Sequence, residues 1–225
     1  MSHNHPDHYS DAEIFIEGMT RGTTQRRGTI IAAKSVLSGN EVTEPAISKY
    51  HQSLATELIE AHLGDSYQAE DVGIRVAKAV HTDPDGVGYI LDFPSVGGIG
   101  YTSDTEFFEG IADPYRGVRL LILCVMRPRG APLRGHLSTD DAEAIIASTK
   151  PEIAVLTHFG MRMLNESPRA QAKYIQDSTG VQTVAGFDGM IVSLGNDVEV
   201  KSLSRSNRGT RYGSGARRRS TRRRA

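Results

Sequence analysis

The sequence has few of the features that mark a disulfide-linked or a membrane protein. It contains one cysteine, Cys124, among 225 residues, which excludes an intramolecular disulfide framework and favours a reducing compartment. The longest apolar run, Leu120 to Met126, is far shorter than a membrane-spanning helix requires. The N-terminus has no apolar segment of the kind found in a signal peptide. We therefore expect a cytoplasmic globular protein with no membrane contact.

Acidic residues are absent from the last 25 positions. Ten basic residues lie between Lys201 and Ala225, so residues 1–200 keep 16 of the 26 basic residues and all 27 acidic ones, a net charge of −11. Residues 202–225 are Arg-rich with almost nothing apolar, and we expect them to be disordered. Residues 1–201 would then form one domain. The tail is typical of a solubilising extension or of a non-specific contact to nucleic acid.

Alternating strand and helix patterns predict an α/β fold. The predicted strands are Gly73–Val80, Val87–Phe93, Leu120–Met126, Ile153–Thr157 and Gly189–Leu194. Three helices are predicted. They are Thr139–Thr149 with Ser138 or Thr139 as N-cap, Pro168–Thr179 with Ser167 as N-cap and Gly180 at its end, and Pro45–Leu63.

Three of the eight histidines fall within one short block, His3-Asn4-His5-Pro6-Asp7-His8. Neutral imidazoles and carboxylates are the ligands of zinc and related first-row metals. In an extended segment His3 and His5 would share one side, while Asp7 and His8 would point elsewhere, which suits two neighbouring metal ions. A purification tag would lack the aspartate and would not lead into the amphipathic residues 11–17.

The block resembles the metal-binding signature of the metallo-β-lactamase superfamily, and later motifs follow in the family's order. They are His81–Tyr89 (a histidine, a turn and a strand), Tyr101–Thr105 (with Ser103 where glycine is usual) and Leu156–Phe159 (a strand that ends in a histidine). The resemblance covers about residues 2–195 and implies an αββα sandwich.

The resemblance also implies a ligand set for two divalent metal ions, with zinc expected first and manganese or iron as alternatives. One metal would be held by His3, His5 and His81, the other by Asp7, His8 and His158, and Asp104 would bridge both.

A further element, Gly135–Ala142, resembles the H-S-T-x-x-x-A element of the superfamily's phosphodiesterase branch. In that branch the histidine, here His136, lies beside the metals and protonates the leaving oxygen. A metal-bridging hydroxide would attack the phosphodiester, with Asp7 orienting the nucleophile as well as ligating. His51 and His62 match no ligand position, and we interpret both as surface or packing residues, with a substrate contact as the alternative for His51.

The first departure from the family is at the N-terminus. Superfamily members usually place several strands before the histidine block, which here begins at residue 3. We therefore expect an N-terminally truncated sandwich, with Met1 at a position where a strand valine belongs and a mis-assigned start as the reason.

The second departure concerns the substrate. Transfer-RNA 3′-processing endonucleases commonly carry a long arm between the motifs that correspond here to His81–Tyr89 and Tyr101–Thr105. In this sequence His81 and Asp104 are separated by only about 23 positions, with a Gly-rich turn at Pro94–Gly100. A small phosphodiester is thus the leading substrate. The alternatives are a ribonuclease Z-like endonuclease acting on RNA, and a non-catalytic nucleic-acid-binding or interaction protein with a relic site. Residues 21–27 would line a phosphate pocket or form a solvated loop. Homodimers are common in this branch.

Overall fold

The structure is a computed structural model that describes residues 1–202. The Arg-rich tail predicted from residue 202 onward lies, from residue 203, outside the described residues. The strands are β1 (Thr29–Ala33), β2 (Glu57–Ala61), β3 (Ser66–Ala69), β4 (Val72–Lys78), β5 (Val87–Phe93), β6 (Gly97–Tyr101), β7 (Leu120–Arg127), β8 (Leu137–Ser138), β9 (Ile153–Thr157), β10 (Gln182–Ala185), β11 (Met190–Leu194) and β12 (Val198–Ser202).

The helices lie between these strands, and none in the described part of the chain is long and apolar enough to cross a membrane. They are α1 (Pro6–Tyr9), α2 (Ala12–Met19), α3 (Lys34–Leu37), α4 (Lys49–Leu54), α5 (Thr139–Thr149), α6 (Met161–Asn165) and α7 (Pro168–Thr179).

A mixed eight-stranded sheet carries the fold. Its order is β10-β9-β7-β6-β5-β4-β3, with β8 paired to β7. The strands β6, β7, β9 and β10 run parallel, and β3, β4 and β5 are antiparallel to their neighbours. Because β6 and β9 are parallel to β7, the loops after Tyr101 and Thr157 leave the sheet at the same edge. This edge positions the last two motifs.

Both faces of the sheet are buried at β7 and β9, as the uninterrupted apolar runs of these two strands predict. Leu121 and Leu156 face a core that includes α5 and α7, whereas Leu120 and Ile153 face the antiparallel pair β11–β12. The parallel pair β1–β2 forms, with α2 and α3, a further core that includes Val76 of β4. The large sheet thus separates a helix layer from a second β layer, in agreement with the predicted αββα sandwich.

Local signals set the ends of α5 and α7 where the sequence predicts them. Ser138 accepts a hydrogen bond from the Asp141 amide, and the Asp141 carboxylate accepts one from the Ser138 amide, which forms a capping box. Ser167 caps α7, Pro168 occupies its first turn, and Gly180 ends it in the left-handed region at φ 74°.

The helix predicted over Pro45–Leu63 was wrong in its second half, and the turn predicted over Pro94–Gly100 was too long. In the predicted helix Pro45–Leu63, only α4 is helical, and the segment after it forms β2, whose partner β1 lies about 28 residues earlier in the chain. The predicted turn Pro94–Gly100 is largely strand, since β6 begins at Gly97. Its glycines allow close packing: a side chain at Gly100 would meet Tyr115 and Leu121.

Candidate metal centre

The block His3–His8 lies where an extended segment turns into a helix. The amides of Ala33 in β1 and Val87 in β5 donate to the two carbonyls that precede His3, at 3.0 and 2.9 Å. Pro6 then starts α1, because proline lacks the amide hydrogen that the first helical residue leaves unused. The first two candidate ligands therefore precede the helical turn, and the last two belong to it.

Three imidazoles form a first cluster. The ligand nitrogens of His3, His5 and His81 lie within 4.8 Å of one another. His5 Nδ1 is 3.1 Å from His3 Nε2 and 3.1 Å from His81 Nε2. Burial, together with the charge of His8, lowers the pKa of His3 to about 3, so His3 is neutral at neutral pH and presents a free lone pair to a cation.

Asp7, His8 and His158 form a second cluster, with ligand atoms again within 4.8 Å of one another. Asp7 Oδ2 lies 3.2 Å from His158 Nε2 and 3.5 Å from His8 Nε2. His158 directly follows β9 and has a left-handed backbone, φ 60°, a conformation that costs energy for a non-glycine residue. The chain thus accepts local strain at a residue of this cluster.

Asp104 lies between the two clusters and is only 3% exposed. One oxygen is 3.6 Å from His8 Nε2, and the other is 3.2 Å from His158 Nε2 and 3.8 Å from His81 Nε2. Burial raises the pKa of Asp104, but its interaction with His8 and the charges of His158, His8 and His3 outweigh burial and hold the pKa well below its usual range. The carboxylate is therefore ionised.

Buried atoms without hydrogen-bond partners test whether the cluster fits metal ions. Among the described residues these atoms are His8 Nε2, Asp104 Oδ1 and His158 Nδ1, and two of them face each other at the centre of the site. Unpaired buried polar atoms are costly unless a ligand satisfies them. Imidazole and carboxylate donors suit Zn²⁺, Mn²⁺ and Fe²⁺, so the residues present fit divalent cations. The ligand roles of the seven side chains stay predictions.

His136 joins the same cluster. Its Nδ1 lies 3.6 Å from Asp104 Oδ2, and its ring centroid is 4.8 Å from that of His81. Burial lowers the pKa of His136, although the charge of Asp104 acts in the opposite direction. His81, Asp104 and His136 also form a group with ligand atoms within 4.8 Å. The geometry thus brings His136 to the site and allows either a proton donor or a further ligand.

Ser103 stands where the resembling motif usually has glycine, and the structure shows what its side chain contacts. Its backbone lies in the left-handed region, φ 59°, which favours glycine. Its hydroxyl, however, lies 3.3 Å from Nδ1 of His3, whose other hydroxyl neighbour is Ser2 Oγ at 3.2 Å. The serine therefore contributes a polar partner for a ligand candidate, which a glycine does not offer.

The other candidates from the sequence lie elsewhere. His51 interacts with Glu13 and Glu17, at 3.1 and 3.2 Å, and links α4 to α2. His62 lies 3.9 Å from a Glu60 oxygen on the surface. Arg26, within residues 21–27, donates from Nε to the Ala55 carbonyl at 2.8 Å. These contacts agree with packing roles for both histidines.

Two supporting carboxylates escaped the sequence reasoning. Asp83 Oδ2 accepts a hydrogen bond from the amide of Asn4 at 2.7 Å, inside the histidine block. Glu106 Oε2 accepts one from the Gly135 amide at 2.9 Å, and the Gly135 carbonyl lies 2.8 Å from His81 Nδ1. Their positions in the sequence could have identified both carboxylates, since each lies two residues after a ligand candidate.

Comparison with known proteins shows which family the sequence matches. Residues 1–159 match the family described as the beta-lactamase superfamily domain. An uncharacterized protein of Methanocaldococcus jannaschii is 39% identical over 198 residues, which cover 87% of this chain and 73% of that protein.

Solved structures show the same fold. The chain is similar to the metallo-beta-lactamase fold protein YhfI from Bacillus subtilis, with a TM-score of 0.66, 16% identity, and coverage of 82% of this chain and 72% of that one. It is also similar to a diphosphatase from the PhnP family, with a TM-score of 0.59, 19% identity, and coverage of 83% and 68%.

Proposed function

The chain belongs to the beta-lactamase superfamily domain family and has the metallo-β-lactamase fold of metal-dependent hydrolases, and from that premise we propose that it hydrolyses a phosphodiester. The observation that carries the proposal is His136, an imidazole 3.6 Å from the central Asp104 and outside the seven-ligand set. Hydrolysis of a phosphodiester releases an alkoxide, and a positioned proton donor lowers that barrier. The likeness to a PhnP-family diphosphatase gives fold-level support for phosphorus chemistry.

The side chains divide the reaction between them. Two divalent cations, when bound by the seven ligands, would lower the pKa of water and polarise the phosphoryl oxygens. Asp7 has the most exposed side chain among the ion-paired residues of the cluster, at 64%, and it orients the attacking water. Burial raises the pKa of Asp7, but the charge of His8 and the hydrogen bonds to the carboxylate lower it by more. The pKa of Asp7 therefore lies below its usual value, and the carboxylate is ionised. His136 delivers the proton to the departing oxygen.

The short segment between His81 and Asp104 favours a small diester over RNA. Between His81 and Asp104 the chain forms the hairpin β5–β6, and nothing in this stretch projects as an arm. Residues 1–200 have a net charge of −11, which disfavours a long polyanion near the site, while the ten basic residues of 201–225 would attract one only outside that domain.

The experiment compares two leaving groups in wild type and His136→Ala. Bis-p-nitrophenyl phosphate releases a stable phenolate, whereas a cyclic nucleotide releases a ribose alkoxide, which is a much poorer leaving oxygen. We expect His136→Ala to slow hydrolysis of cyclic nucleotides by about 10²–10⁴-fold and hydrolysis of the aryl diester far less. His62→Ala, which changes an exposed histidine outside the cluster, is the matched control and keeps wild-type rates.

Metal analysis separates the two roles that the geometry allows for His136. With a proton donor, His136→Ala keeps two equivalents of metal, and only the rate with poor leaving groups falls. Loss of metal from this variant assigns His136 as a ligand instead. Equal loss of rate with all leaving groups, at full metal content, refutes proton donation. Cleavage of 3′-extended transfer RNA with no turnover of small diesters would favour the ribonuclease Z-like alternative.

A further inference from the structure

Asp83 is a buried carboxylate next to the metal centre that the proposed reaction does not use. It is 7% exposed, and its Oδ2 accepts hydrogen bonds from the Asn4 amide at 2.7 Å and from the Ser35 hydroxyl at 2.6 Å. Its Oδ1 accepts a hydrogen bond from the Asp85 amide at 3.0 Å. Three donors on one carboxylate fix its orientation in the fold.

These bonds join two ligand-bearing segments. Asn4 lies between His3 and His5, and Asp83 lies two residues after His81. The Asn4 amide that donates to Asp83 therefore sets the spacing between the first histidine pair and the third imidazole of the same cluster. This one hydrogen bond therefore holds the segment of His3 and His5 next to the segment of His81.

Asn4, which donates to Asp83, is itself held in place by further hydrogen bonds. The Asn4 side chain donates to the carbonyls of Ser35 and Glu44, each at 2.8 Å, and Ser35 is fully buried in α3. Asn4 is thus held through both its backbone and its side chain. Movement of the histidine block would break bonds to Asp83 and α3 together.

Among residues 1–202, no lysine or arginine side chain forms an ion pair with the Asp83 carboxylate. A buried carboxylate without a cation is costly, and a neutral asparagine offers a similar shape at a lower desolvation cost. A divalent cation held by His3, His5 and His81 would supply positive charge beside Asp83, which would favour a carboxylate over a neutral asparagine at this position.

We propose that Asp83 is a positioning residue of the metal centre: it holds the Asn4 backbone so that His3, His5 and His81 converge, and its charge favours a cation there. The inference rests on the metal-binding part of the proposed function and not on the substrate. Partners of this kind outside the ligand shell typically change metal affinity by about 10–100-fold.

The test is Asp83→Asn, with Asp85→Asn as the matched control. Asp85 lies in the same turn and carries the same charge, but its carboxylate is 3.4 Å from Asn40 Nδ2 and not bonded to Asn4. Affinity for Zn²⁺ is measured by competition with a chromophoric chelator, and the ligand field by the visible spectrum of the Co²⁺-loaded protein. We expect Asp83→Asn to bind one Zn²⁺ about 10–100-fold more weakly with a changed Co²⁺ spectrum, and Asp85→Asn to match wild type.

A second measurement covers the case in which Asp83→Asn folds poorly. Ser35→Ala removes only one of the donors to the carboxylate, and both variants are melted with and without Zn²⁺. Positioning predicts that the rise in Tm on adding Zn²⁺ shrinks in both variants more than in Asp85→Asn. An unchanged rise, or wild-type affinity and an unchanged Co²⁺ spectrum in Asp83→Asn, overturns the proposal.

The outcomes keep this inference apart from the proposed function. A wild-type chain that binds no divalent metal refutes both. A wild-type chain that binds metal but cleaves no phosphodiester refutes the substrate assignment alone, while weaker metal binding in Asp83→Asn still supports the positioning role.

Discussion

The buried ring of His3 has two hydroxyl neighbours, and we predict that removing both costs more than the sum of removing each. Its Nδ1 lies 3.2 Å from Ser2 Oγ and 3.3 Å from Ser103 Oγ, while its Nε2 faces the first cluster, 3.1 Å from His5 Nδ1. A histidine that ligates through Nε2 carries its proton on Nδ1. One hydroxyl is enough to accept that proton, so each serine can replace the other.

The magnitude follows from burial. His3 is fully buried, so water does not replace a lost partner. Either Ser2→Ala or Ser103→Ala exchanges one hydrogen bond for the other, and each should cost no more than about 0.5–1.5 kcal/mol. The double variant leaves a buried N–H unsatisfied, which costs about 1–3 kcal/mol beyond the sum. Because the ring then loses its orientation, we also expect metal affinity to fall by about 10–100-fold in the double variant only.

The assay is a double-mutant cycle on the free energy of unfolding in urea, with metal affinity measured by chelator competition on the same four proteins. Ser103→Gly is the backbone control. It removes the same hydroxyl but relieves a left-handed conformation, φ 59°, which costs a non-glycine residue about 1–2 kcal/mol, so it should be more stable than Ser103→Ala. Additivity within about 0.5 kcal/mol, with equal metal affinity in single and double variants, would refute the shared-partner reasoning.

Two further predictions test the packing around the site. Gly88→Ala would place a methyl group against the Tyr115 hydroxyl and 2.9 Å from the Tyr101 carbonyl, so the free energy of unfolding in urea should fall by about 1–3 kcal/mol. Gly18→Ala, in α2 with nothing within 4 Å, should raise the free energy of unfolding by about 0.5–1 kcal/mol. Equal effects of the two substitutions would contradict the packing. Burial raises the pKa of the Cys124 thiol. A thiol reagent at pH 8 should therefore label the native protein only as fast as the protein unfolds, and should label the urea-unfolded chain at once. Fast labelling of the native protein would contradict the buried position.

The elements that the sequence predicts to the residue are those with local signals. Helix α5 has its capping box, and α7 has its N-cap, its proline and the glycine at its end; each signal acts within a few residues. Strand β5, which follows a turn-rich segment, and strand β9, which is a short apolar run, likewise have the predicted bounds. The strand β2 has no such signal, because its pairing with β1 depends on a contact that only the folded chain makes.

The candidate site shows the same division. A histidine block and four later motifs identify side chains by their chemistry, and the structure brings the seven predicted ligands and His136 to one edge of the sheet. The residues that support the ligands belong to no recognisable sequence motif of this kind. Asp83 is one aspartate among many until the fold sets its oxygen 2.7 Å from the Asn4 amide, and Ser103 is a departure from a motif until its hydroxyl is found beside His3.

The net charge of residues 1–200 is a poor guide to what the site attracts. The charge of −11 repels anions at long range, but that repulsion is screened over about 10 Å at ordinary ionic strength. At the site itself, the seven ligand candidates include two carboxylates, Asp7 and Asp104, and five imidazoles. Two divalent cations would bring a charge of +4 against −2, so the local field attracts a phosphodiester that approaches within the screening length. With metal ions bound, the net negative charge of residues 1–200 would therefore disfavour long polyanions, while the centre would admit a small one.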